Sequence, residues 1–161
     1  MNKEIQQQLA AHGIPEGILS VWNRKKTSSR LQYFSFGPPN LELVDDLRGR
    51  VAGLRDLVPI FDRNGDAAIG FLPSSEQFIQ FYYEDLDRGD EEIGVLGTGY
   101  QQFACRLLIE NEESGLQEFY DDLVTELQFK SGKRLRELLD ADPYDDDAVE
   151  EFCEQLSTAE R

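Results

Sequence analysis

Leu57-Val58-Pro59-Ile60-Phe61-Asp62-Arg63-Asn64-Gly65-Asp66-Ala67-Ala68-Ile69-Gly70-Phe71-Leu72 is the stretch on which the fold turns. Two short apolar runs flank Asn64-Gly65, and both of these residues tolerate positive φ, so the pattern reads as a tight hairpin. Asp62 to Asp66 also imitates the start of a calcium loop. That loop needs glycine at its sixth position and a bidentate glutamate at its twelfth, where this chain has Ala67 and Pro73. The turn reading therefore prevails. Pro73-Ser74-Ser75 then leads the chain into Phe78-Ile79-Gln80-Phe81-Tyr82-Tyr83. Nearly every position there is apolar or aromatic, which a strand satisfies only when both its faces are covered. The spacing predicts a three-strand meander with Phe78 to Tyr83 in the middle of the sheet.

Downstream, Thr98 and Gln101 stand at capping-box spacing ahead of Tyr100, Phe103, Ala104, Leu107 and Leu108, which repeat with the period of a helix face. The preceding Gly94-Val95-Leu96-Gly97-Thr98-Gly99 lacks the glycine order and the lysine of a phosphate loop, and reads as a glycine-eased start of that helix.

Upstream, Asn2 to Ala11 is predicted to be a helix ended by Gly13, and Pro15 suits the first turn of a second helix on which Ile18, Leu19 and Trp22 share a face. Arg24 to Arg30 is loop-like, and Leu31 to Phe36 alternates as a strand that Gly37-Pro38-Pro39 stops. From Leu41 to Leu57, Val44, Leu47, Val51 and Leu54 fall at helical spacing, weakened by Gly49 and Gly53. Toward the C-terminus, Leu116 to Leu127 and Leu135 to Leu139 form further stripes. Asp145 to Asp147 caps a last helix carrying Val149, Phe152, Cys153 and Leu156.

At 161 residues the chain fits one domain, 1–161, with a core at about 31–128 and a helical extension over 129–161. The fold class expected is α+β, a mostly antiparallel sheet packed against helices with that C-terminal extension. Cys105 and Cys153 each fall on an apolar stripe, so buried free thiols are expected. No apolar run is long enough for a membrane helix, and the N-terminus lacks the apolar core of a signal peptide, so a cytoplasmic protein is expected.

The 32 acidic and 16 basic residues leave a net charge of −16, which repels nucleic acid and anionic membranes and favours encounter with basic protein surfaces. The charge is uneven. Six carboxylates, Glu84, Asp85, Asp87, Asp90, Glu91 and Glu92, share one short segment with Arg88 alone. We expect this acidic loop to act as a docking edge for a basic protein, with Tyr83 as the adjacent aromatic anchor. His12 is the only histidine, which removes most imidazole-dependent catalysis, and carboxylate pairs are too abundant here to be informative. Neither catalysis, nor a cofactor, nor a metal is expected.

Leu57 to Phe61, the Asn64-Gly65-Asp66 turn, Phe71, Phe78 to Asp85 and Thr98 to Phe103 with its helix stand in an order that resembles the SUKH superfamily. That superfamily includes fungal cell-wall-assembly regulators and many bacterial immunity proteins. The N-terminal third departs from the usual pattern, and the residues after Leu116 look like an added helical extension. The resemblance implies a protein that masks a partner: an immunity protein neutralising a bacterial toxin, such as a basic nuclease, or alternatively a regulatory or scaffold module.

Overall fold

The computed structural model describes residues 3–22, 36–85, 93–113, 117–141 and 146–159. The elements run α1 (Lys3–Ala11), α2 (Glu16–Trp22), β1 (Phe36–Gly37), α3 (Leu41–Arg50), β2 (Val58–Arg63), β3 (Ala67–Leu72), β4 (Gln77–Tyr82) and β5 (Gly94–Thr98). They continue through α4 (Tyr100–Glu113), α5 (Tyr120–Glu126), α6 (Gly132–Ala141) and α7 (Asp146–Ala159). All pairings are antiparallel and the strand order is β1-β2-β3-β4-β5, a meander. The protein is α+β, as its sequence predicts. The basic segment Arg24 to Arg30, residues 31–35 of the expected first strand, Leu116 and Asp145 lie outside the described residues.

The Asn64-Gly65 hairpin forms as expected. Their φ angles are 57° and 79°, and the Asp66 N–H donates to the Arg63 carbonyl at 3.0 Å, the signature of a type I′ turn. β4 lies between β3 and β5, and its side chains alternate between two buried clusters. Phe78 faces α1, α2 and α4 to α7 together with Ile69, Phe71 and Phe103, whereas Ile79 and Phe81 face α3 with Val44, Leu47, Leu54 and Leu57. The sheet is thus covered on both sides, which is why an unbroken apolar strand is stable in it. Phe78 stacks on Phe103 with ring centroids 4.6 Å apart and planes at 8°, a contact that adds about 0.5–1.5 kcal/mol to the burial of the two rings. Along β2 the register skips between Pro59 and Phe61, which pair with Gly70 and Ile69, leaving Ile60 as a bulge.

Four expectations are corrected. The meander has five strands, because Gly94–Thr98 pairs with β4 instead of serving only as a glycine-eased lead into α4. At Gly97 an added Cβ would stand 2.7 Å from the Phe103 N and 3.0 Å from the Gln102 carbonyl carbon, so glycine is what lets β5 pass directly beneath the helix. Helix α3 ends at Arg50. Val51 is extended and a 3-10 turn follows at Ala52–Leu54, although Val51 and Leu54 still reach the α3-side cluster. The cap of α4 is shifted by one residue: Gly99 (φ 83°) accepts from the Phe103 N–H, and Gln102 rather than Gln101 takes the Thr98 N–H at 2.6 Å.

The fourth correction concerns the cysteines. Both are fully buried on the expected stripes, but they form one disulfide that joins α4 to α7 with Cα atoms 6.3 Å apart. Helical periodicity gives each residue's face, whereas pairing depends on how two helices cross. With 48 residues between its ends, such a bond reduces the entropy of the unfolded chain by about 4 kcal/mol at room temperature in the chain-entropy account.

The C-terminal helices share the larger core. Tyr100 donates its hydroxyl to the Leu127 carbonyl at 2.8 Å, and Tyr120 donates to the Gly132 carbonyl at 2.9 Å. Gln101, also buried, donates to the Gln128 carbonyl at 3.2 Å and accepts from the Lys130 N–H at 2.8 Å. These bonds satisfy the non-helical backbone between α5 and α6, including Gln128 with its φ of 51°. Leu135, Val149 and Cys153 then complete the cluster.

Candidate functional site

The expected docking edge begins where β4 runs out. Tyr83–Asp85 form one turn of 3-10 helix, with Glu84 exposed and Asp85 half-buried; Asp87, Asp90, Glu91 and Glu92 lie outside the described residues. The antiparallel register brings this turn to the same end of the sheet as the β2–β3 hairpin, for Ala67 pairs with Tyr82 and the Tyr83 N–H donates to the Asp66 carbonyl at 2.9 Å. Asp62 and Asp66 therefore join Glu84 and Asp85 along one acidic edge. The sequence treated the two groups separately, and only strand pairing connects them.

Tyr83 is not an open anchor. Its ring lies half-buried against the α3-side cluster, and its hydroxyl donates to Asp62 Oδ2 at 2.7 Å. Burial, reinforced by the hydrogen bond to Asp62 and by its negative charge, holds the Tyr83 hydroxyl well above the usual phenol range. The other Asp62 oxygen accepts from the Gly65 N–H at 2.7 Å, so this carboxylate ties the hairpin tip to the end of β4.

The aromatic residue presented to solvent is its neighbour Tyr82, 44% exposed, which sequence reasoning passed over. Strand alternation is the signal that finds it: Tyr82 shares a face with Phe78 and Gln80, whereas Tyr83 shares one with Ile79 and Phe81. On the Gln80 face, Arg63 donates to Gln80 Oε1 at 3.0 Å and pairs with Glu110 of α4. The one cation of the hairpin is thereby drawn away from the acidic edge.

Among the described residues no group of three or more His, Cys, Asp or Glu side chains is placed to hold a metal ion, and no helix is long and apolar enough to cross a membrane. His12 sits just past the end of α1 with its ring 4.6 Å from that of Phe71. Comparison with family models, curated proteins and solved structures gave no significant match.

Proposed function

We propose that this chain is an immunity protein: a binding rather than a catalytic protein that neutralises a bacterial toxin domain of basic surface, such as a nuclease, by covering it in the cytoplasm. The observation that carries the reading is the convergence of Asp62, Asp66, Glu84 and Asp85 at the end of the sheet where β4 finishes in the exposed Tyr82, in a chain of net charge −16. Carboxylates of this kind accelerate encounter with a cationic partner, and an exposed aromatic residue at the same end of the sheet supplies contact area with few rotors to freeze. The SUKH resemblance supports the same reading, since masking a partner protein is what it implies.

The test is capture of the partner from the source cell with the full chain as bait, followed by neutralisation of the toxin encoded beside it. Recovery of a basic toxin domain and protection of a host expressing it are expected. Glu84→Lys with Asp85→Lys should slow association about tenfold at low salt, and Tyr82→Ala should speed dissociation. If no toxin-like protein is captured and no protection follows, the proposal fails. A growth defect under wall stress in toxin-free cells lacking the protein would favour a regulatory module instead.

A further inference from the structure

Asn64 is the only one of the chain's five asparagines that a glycine follows, and the pair stands exposed at the tip of the β2–β3 hairpin. Such a pair is chemically labile. Glycine has no side chain to shield its amide nitrogen, so in a free chain that nitrogen reaches the side-chain carbonyl carbon of the asparagine before it and closes a five-membered imide. The hairpin opposes this closure. A type I′ turn sets ψ at Asn64, and the Gly65 nitrogen can swing round to Cγ only if the Asp66 N–H leaves the Arg63 carbonyl, to which it is bonded at 3.0 Å. The Gly65 N–H is itself donated to Asp62 Oδ1 at 2.7 Å, and Asn64 Nδ2 donates to Asp66 Oδ2 at 3.1 Å. Two carboxylates so near also disfavour the amide anion that must attack. Asp62 is held in its turn by the Tyr83 hydroxyl.

We infer that Asn64 is a self-modification site, a deamidation centre whose rate is set by the run of hydrogen bonds from Tyr83 through Asp62 to Gly65. Water is the only co-reactant. When the turn opens, the Gly65 nitrogen gives its proton to solvent and bonds to Asn64 Cγ; the Cγ–Nδ2 bond breaks, and ammonia leaves with a proton returned from solvent. Water then opens the imide at either carbonyl, releasing one proton and leaving aspartate or isoaspartate, with nothing oxidised or reduced. Either product adds a negative charge between Asp62 and Asp66 in the chain. Isoaspartate also routes the main chain through the side-chain methylene, one atom longer, so the two-residue turn no longer closes on the Arg63 carbonyl. The tip of the acidic edge thus carries a slow, one-way change whose pace its own carboxylate restrains.

Peptide mapping by mass spectrometry tests this on the full chain, incubated folded and in denaturant at mildly alkaline pH, with isoaspartate read by enzymatic methylation. In denaturant, Asn64 should be the first asparagine to convert, about tenfold faster or more than in the folded chain. Asp62→Ala should speed conversion in the folded chain about tenfold, and Tyr83→Phe, which keeps the ring and drops the hydroxyl, should speed it by less. Equal rates folded and denatured would show that the turn guards nothing. A folded Asp62→Ala chain that converts at the wild-type rate would show that Asp62 has no part in the control, and faster conversion at another asparagine in denaturant would remove the site. Each of these results overturns the inference; if Asp62→Ala does not fold, an unchanged rate in Tyr83→Phe overturns it instead.

Discussion

Tyr83 donates its hydroxyl to Asp62 at 2.7 Å across the end of the sheet, joining the residue after β4 to the tip of the β2–β3 hairpin. The contact fixes the direction in which the chain leaves the sheet toward the acidic loop. Because burial and Asp62 raise the folded tyrosine's pKa above its ordinary 10.0, this contribution to stability is intact below pH 10 and is lost as pH climbs beyond it. Tyr83→Phe should cost about 0.5–1.5 kcal/mol near neutrality and flatten the alkaline decline, leaving the share due to Tyr100, whose hydroxyl burial likewise raises. Urea unfolding followed from pH 7 to pH 11 measures both effects.

Glycines in this chain divide by what surrounds them, and alanine substitutions should divide accordingly. A Cβ at Gly70 would stand 2.9 Å from the Val58 carbonyl oxygen and against the Leu57 side chain, in the middle of the sheet. Gly70→Ala should therefore destabilise by about 1–3 kcal/mol through overpacking. Gly49 lies exposed in α3 with nothing within 4 Å of such an atom, and there alanine should stabilise by about 0.5–1 kcal/mol. Thermal melts of the two variants should move in opposite directions.

Gln101 serves both a donor and an acceptor between α5 and α6. Gln101→Leu keeps its bulk and removes both hydrogen bonds, at an expected cost of about 2–4 kcal/mol. Accelerated amide exchange at Gln128 to Lys130, beyond that of the sheet, would locate the loss there.

Local chemistry accounts for what could be read from the chain in advance. Asn64-Gly65 needs no distant partner to favour positive φ, and Phe78 to Tyr83 is apolar at both parities, so hairpin and buried strand were both legible. The stripe through Tyr100, Phe103 and Leu107 was legible for the same reason. β5 was not, since its two glycines have weak strand preference and its conformation is imposed by β4 on one side and by α4 above Gly97. At the candidate site, the carboxylates of Glu84 and Asp85 were visible in sequence. Their alliance with Asp62 and Asp66 was not, because it exists only once strands pair. Nor was it legible that Tyr82 is exposed while Tyr83 is half-buried and bonded to Asp62, which the covering of the two sheet faces decides.

The bulge at Ile60 has a consequence for how the two layers of helices came to differ. Strict alternation would share the side chains of β2 equally between them, yet Val58, Ile60 and Phe61 all belong to the larger cluster. One surplus residue thus feeds the thicker layer without altering the ladder on either side of it. The lopsidedness of the molecule is in this sense detachable from its topology, and a chain lacking that residue would meander identically around a leaner interior.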